Sequence, residues 1–160
     1  MPKLNVKGLE DWSTTLQMLG SKGASVAKAA CYDGAAVLAD ALRQEIQNLP
    51  EQSGYMPEGQ RRRVVKPTEK QALLDGMGVT RMEEKNGTVT VRVGFTGYSK
   101  LRTKRYPEGL PTPIIAASVA GGSKVREKND FVRRAGKRAE EAAKAAMAAG
   151  AAECIEKYLK

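Results

Sequence analysis

The sequence predicts an α+β fold: long N-terminal and C-terminal helices packed on a small antiparallel β-sheet containing a hairpin, with long basic loops between them. Three observations carry this. Residues 79–84 and 88–95 are strand-like runs joined by Lys85-Asn86-Gly87, and Asn-Gly is the favoured centre of a type I′ hairpin turn. Small and apolar residues recur at helical spacing towards both ends of the chain. Between helices and hairpin lie stretches rich in proline, glycine and cations, which read as loops. The 160 residues suit one domain, 1–160.

The N-terminal helical arm covers 9–49. Leu9, Trp12, Leu16 and Leu19 are helically spaced; Gly20 and Gly23 then interrupt, and Ser21 or Ser25 caps a longer helix. In that helix Val26, Ala30, Val37 and Ala41 form one row, with Ala27, Leu38, Leu42 and Ile46 beside it. From 25 to 48 it would run about 36 Å at 1.5 Å per residue. Gly34 inside it costs about 1 kcal/mol against alanine. With Ala30 and Ala35 nearby, close helix packing explains it, making Ala30, Gly34 and Val37 candidate packing residues. Pro50 ends the arm.

Residues 50–67 hold three prolines, two glycines and the triplet Arg61, Arg62 and Arg63, followed by Lys66; they read as an exposed loop. Thr68 is the expected cap of a short helix stopped by Gly76 and Gly78. In the hairpin, 79–95, Val89, Val91, Val93 and Phe95 alternate strictly with Thr88, Thr90 and Arg92, the pattern of a sheet with one buried face. Residues 96–113 form a second basic loop carrying Lys100, Arg102, Lys104 and Arg105. A short helix over 114–119 is expected to be capped by Thr112, with Pro113 in its first turn, and to end at Gly121-Gly122-Ser123. Asp130 caps the last helix, 131–158, whose inner stripe is read as Phe131, Ala135, Ala139, Ala142, Ala146, Ala149, Ile155, Tyr158 and Leu159. Of these, Phe131, Ala135, Ala142 and Ala146 are the candidate packing residues. Small side chains let helix axes approach near the lower end of the usual ~8–10 Å.

The formal charge of +9 is uneven. Residues 60–138 hold 19 Lys and Arg against 7 Asp and Glu, while both flanks are slightly acidic. Three runs carry the excess: the arginine triplet with Lys66 and Lys70; Lys100 to Arg105; and Lys124, Arg126, Lys128, Arg133, Arg134, Lys137 and Arg138. Such runs are either solvated faces or surfaces for phosphate or an acidic partner. Tyr98 and Tyr106 flank the second run, but no base-stacking platform is present.

Catalysis finds little support. The chain has no histidine, so triad and Cys-His chemistry lack their base, and no histidine-containing zinc site is possible. Cys31 and Cys154 read as free thiols. Glu83 and Glu84 are adjacent on a strand and point to opposite faces. Gly121-Gly122-Ser123-Lys124 lacks the phosphate-loop spacing. No catalytic residue, metal or cofactor is expected. The expected class is a binding or structural protein without a membrane span.

An ordered set of short motifs adds an address. Val6-Lys7-Gly8-Leu9 with Trp12 and Leu16 opens a small-residue helix ending at Leu49-Pro50. Then come Leu73-Leu74-Asp75-Gly76-Met77-Gly78-Val79, Val93-Gly94-Phe95-Thr96-Gly97-Tyr98, Tyr106-Pro107-Glu108-Gly109, Ile115-Ala116-Ala117-Ser118, Gly121-Gly122-Ser123 and Phe131-Val132-Arg133-Arg134-Ala135. Their order resembles the head–tail joining (neck, or tail-completion) proteins of long-tailed bacteriophages over most of the chain. The pattern departs from that family at Ala120 and Asp130. The resemblance implies a non-enzymatic virion structural protein, made in the host cytoplasm and placed in the neck. It implies a homo-oligomeric ring that meets the head connector and the tail-tube or terminator protein, with DNA close by. On that reading Arg61, Arg62, Arg63, Lys66, Lys100, Arg102, Lys104 and Arg105 contact a partner or face the DNA channel. The alternatives are a tail-tube terminator or a small basic nucleic-acid-binding protein.

Overall fold

Two long helices set the frame. The computed structural model describes residues 9–51, 64–86, 88–124 and 126–159, with side chains from residue 20 onward. Helix α1 (Leu9–Gln47) is a continuous 39-residue helix, about 58 Å long at 1.5 Å per residue. The interruption expected at Gly20 and Gly23 does not occur. Neither glycine takes a positive φ, so neither forms the left-handed terminator by which glycine usually stops a helix. Each costs only about 1 kcal/mol as an interior residue.

Helix α4 (Phe131–Leu159) runs antiparallel along α1. Gly34 lies against Met147, where an added methyl would fall 2.5 Å from Cγ. Farther out, Lys22 Nζ sits 5.6 Å from the Tyr158 ring centre. The buried stripe of α4 is Phe131, Ala135, Ala139 and Gly150, with Ala143 and Ala146 half-buried. Ala142, Ala149 and Leu159 are exposed, contrary to the stripe read from the sequence. The helix turns 100° per residue, so a row advancing in steps of four drifts off its face and must be corrected by a step of three. The observed row takes that step at 143 to 146, one position later than expected. Ala30 and Gly34 are buried and Val37 is half-buried, all facing inward as predicted.

After α1, Pro50 and Val65 are joined by a hydrogen bond (2.8 Å), and Glu51 and Val65 form an isolated bridge. The arginine triplet lies outside the described residues. Helix α2 (Pro67–Gly76) begins one residue before the predicted cap. Thr68 is inside it; Lys66 is the N-cap, and its N–H donates to Glu69 Oε2 at 2.9 Å. Proline at the first position supplies a φ already set for the helix.

Four short strands follow: β1 (Met77–Val79), β2 (Glu83–Lys85), β3 (Thr88–Thr90) and β4 (Val93–Phe95). They form one hairpin broken into two antiparallel pieces. Strand β2 pairs with β3 in register Lys85↔Thr88, and β1 with β4 in register Val79↔Val93. Asn86 has φ 52°, as a type I′ turn demands. Thr80 N–H donates to Arg92 O at 2.8 Å. Arg81 and Met82 are thus left opposite Val91 alone. One extra residue on one strand is a β-bulge, which breaks the ladder and increases its twist.

Helix α3 (Thr112–Gly121) buries Ile115, Ala116 and Val119. Thr112 is not its cap. It is the first helical residue, 1% exposed, with its N–H donating to Gly97 O and its side chain against Gly76. Gly122, at φ 77°, terminates the helix. The core gathers Leu42, Ile46, Leu49, Val65, Leu73, Ile115, Val119 and Phe131 where the inner halves of α1 and α4 meet α2 and α3. Phe95 packs edge-on to Phe131 at 6.2 Å. Beyond this core the long helices continue as an alanine-rich pair, and β3 leans on α1 near Cys31.

Candidate interaction surface

The second basic loop is ordered as a finger. From Gly97 to Thr112 the chain leaves the core and returns along itself. Tyr98 and Pro111 form an antiparallel bridge. Ser99 N–H donates to Leu110 O (2.9 Å), Leu110 N–H to Leu101 O (2.6 Å), and Thr103 and Tyr106 exchange bonds of 3.1 and 3.0 Å. Lys104 and Arg105 therefore occupy a two-residue tip. Ser99 Oγ donates to Leu110 O (2.9 Å) and accepts from Leu101 N–H (3.3 Å).

Local sequence sets the inside and outside of this finger. Ser99 is buried and Leu101 packs against the core, while Tyr98, Lys100 and Arg102 are exposed. Successive side chains of an extended chain point to opposite faces. Tyr98, Lys100 and Arg102 thus form one outward row leading to the tip. Tyr98 is 75% exposed. Arg105 lies over the Tyr106 ring, 5.8 Å from its centre. Lys100, Arg102, Lys104 and Arg105 make no ion pair among the described residues, and Glu108, the finger's one acid, pairs with none of them. Lys66 is exposed at the start of α2, away from this row in sequence and held there by its backbone.

The third basic run is different, and sequence reasoning missed why. Arg126 is 3% exposed, its guanidinium 2.6 Å from Glu69 Oε2. Glu45, 9% exposed on α1, receives Arg134 at 2.9 Å and Arg138 at 3.8 Å. Lys128 meets Asp130 at 3.1 Å. Four of the seven cations in that run are thus committed to carboxylates of the same chain. Two signals were present in the sequence. Glu69 stands three residues after Lys66, the spacing of a residue reaching back to its cap. Glu45 interrupts the apolar row Leu42, Ile46, Leu49, where a carboxylate needs a partner.

The residues weighed for chemistry take structural places. Glu83 faces Arg92 (3.6 Å) and Glu84 faces Lys28 (3.0 Å), each paired with a different cation. Cys31 and Cys154 are free thiols, and Cys31 Sγ is 4.0 Å from Val89 O. Among the described residues no three His, Cys, Asp or Glu side chains are grouped to hold a metal ion, and no helix is long and apolar enough to cross a membrane. The hairpin and the two long helices leave an apolar groove of about 450 Å³ between Leu38, Val89, Val93 and Met147. No family model matches this chain, and neither a curated protein nor a solved structure is detectably similar to it.

Proposed function

We propose that this chain is a non-enzymatic structural subunit of a bacteriophage neck, forming a homo-oligomeric ring that joins the head connector to the tail. The observation that supports the reading most is a basic finger, without an ion pair among the described residues, held at its base against a firmly packed α+β body. A subunit of this kind has a body to stack against its copies and a separate element to meet something else. Ring closure by identical subunits needs a heterologous interface, in which one patch meets a different patch on the next copy. The ordered motifs from Val6 to Ala135 support the same reading through their resemblance to neck and tail-completion proteins. Placement at the tail-tube end would use the same ring logic with a different neighbour.

Two measurements test the proposal. Negative-stain images of the purified protein should show rings. Particles carrying Arg61→Ala, Arg62→Ala and Arg63→Ala together should accumulate as separate heads and tails. Normal joining by that variant removes the arginine triplet from the interface. A protein that stays monomeric, and whose deletion leaves particles whole, sinks the neck assignment itself.

A further inference from the structure

We propose that the finger of residues 97–112 is a sequence-independent contact for the phosphate backbone of duplex DNA. The inference stands on the finger's own geometry, not on ring assembly, so the two readings fail separately.

Four cations lie on one hydrogen-bonded element, and among the described residues none of them makes an ion pair; the nearest acid lining a shared cleft is Asp75, beside Tyr98 and Lys100. Two of them, Lys100 and Arg102, share the outward row with Tyr98; Lys104 and Arg105 form the tip. Residues two apart on an extended chain are separated by about 6.6 Å. One strand of duplex DNA presents a phosphate every ~3.4 Å along the axis. Successive phosphates are also rotated about that axis, so neighbours on one strand lie roughly twice that far apart through space. That is near the spacing of Lys100 and Arg102. Their long flexible stems absorb the remaining mismatch. A two-stranded ribbon is also narrow enough for the ~12 Å major groove.

Composition favours nucleic acid over an acidic protein. Protein interfaces place aliphatic and aromatic residues at their centre, with charges at the rim. The outward row and tip hold four cations, one tyrosine and no aliphatic residue. A single exposed tyrosine is too little for a single-stranded binder, which stacks successive bases on several rings. No Asn or Gln stands in the finger to read adenine edges. Its arginines can also reach guanine edges, so contact through charge alone is what equal affinity for two unrelated duplexes establishes. In the third basic run Arg126 is excluded from this role by burial against Glu69, and the charges of Arg134 and Arg138 are partly offset by the Glu45 they share.

The test is a salt titration of full-length protein binding to two unrelated duplexes, read by fluorescence anisotropy. Each phosphate contact contributes about 0.9 to the slope of log K against log salt. The fourfold variant Lys100→Ala, Arg102→Ala, Lys104→Ala and Arg105→Ala should lower the slope by about 3.6 on both duplexes. The variant Arg102→Lys with Arg105→Lys should keep the slope, and Arg133→Ala with Lys137→Ala should leave it nearly unchanged. All of these side chains are exposed, and far-ultraviolet circular dichroism verifies that each variant is folded. An undiminished slope in the fourfold variant overturns the proposal. So does a wild-type protein that binds polyglutamate or single strands but not duplex.

Discussion

The guanidinium of Arg126 meets Glu69 Oε2 at 2.6 Å across 57 residues of sequence, with side-chain exposures of 4% and 13%. The same oxygen accepts the Lys66 N–H at 2.9 Å. One carboxylate oxygen therefore holds the first turn of α2 and the turn that follows α3. Its position near a helix N-terminus adds a favourable interaction with the helix dipole. Breaking a buried pair by removing one partner leaves an uncompensated charge, which costs about 3–5 kcal/mol. Arg126→Ala should therefore lower the melting temperature by roughly 10 °C, at a few degrees per kcal/mol for a chain of this size. The double variant Glu69→Leu with Arg126→Met removes both charges and should lie much closer to the parent. A single variant that melts with the parent would show the pair to be solvated.

Three glycines of helices allow a graded test of packing. At Gly76 an added methyl would lie 2.7 Å from the Thr96 carbonyl and 2.6 Å from Thr112 Cγ2. The carbonyl belongs to backbone already bonded to Gly76, since Thr96 N–H donates to Gly76 O at 2.8 Å. At Gly34 the obstacle is the Met147 side chain, and at Gly150 it is the carboxylate of Asp33; both can turn away. Overpacking costs about 1–3 kcal/mol, whereas replacing an interior helical glycine by alanine returns up to about 1 kcal/mol. Gly76→Ala should be clearly destabilising in urea unfolding, and Gly34→Ala and Gly150→Ala should fall within about 1 kcal/mol of the parent.

What the sequence made legible was local. Asn86-Gly87 announced the hairpin turn, and Pro50, Gly122 and Asp130 bounded helices as read. The bulge at Arg81 and Met82 was hidden because alternation on 88–95 reports only one strand, and register depends on both. The finger was hidden for the same reason. Its bonds join residues up to 15 apart, so its glycines, prolines and cations looked like an open loop. The committed arginines were hidden because a run of like charge reads as one surface. Arg126 differs from Lys124 only in where α2 brings Glu69.

Phe131 is fully buried and packs edge-on to Phe95. Phe131→Ala should cost about 3–5 kcal/mol through lost burial and the cavity it leaves. The same helix offers a paired control for its face. Ala139 is 3% exposed and Ala142 is exposed. Ala139→Leu should destabilise by about 1–3 kcal/mol and Ala142→Leu by less than about 0.5 kcal/mol. Equal effects in urea unfolding would mean that α4 is rotated from the face described.

Salt bridges along the outer turns of α4 give its far end a pH dependence. Lys144 holds the Glu140 carboxyl below its usual range through a hydrogen bond and its charge, and Lys157 does the same for Glu153. Each lysine is correspondingly raised by its carboxylate. A carboxyl depressed in the folded state contributes stability above its ordinary value of 4.5 that is lost as pH falls through the folded value. A raised lysine contributes stability below 10.5 that is lost as pH rises through its folded value. Amide exchange around residues 148–156, corrected for its intrinsic pH dependence, should show constant protection from pH 6 to 9 and fraying below pH 4. The pairs are exposed, so high salt should flatten this profile. Fraying that persists unchanged in Glu153→Gln would assign it to another group.

The finger's shape and its charge can be separated at Gly109. This residue has φ 136°, and an added methyl would strike the Ser99 carbonyl. Both the backbone angle and the contact require glycine. Its N–H also donates to Tyr106 O at 3.3 Å, within the return strand of the finger. Gly109→Ala leaves all four cations in place but should spring the ladder between Ser99 and Leu110. Amide exchange at those two residues should accelerate, while protection of the Ile46 and Phe131 amides in the core is retained. Duplex affinity should then fall by less than in the fourfold alanine variant. A flexible basic segment still attracts phosphate, but it must be ordered on binding at an entropic cost of about 1–2 kcal/mol per residue fixed. Wild-type affinity with an opened finger would mean that charge acts there without the ordered row.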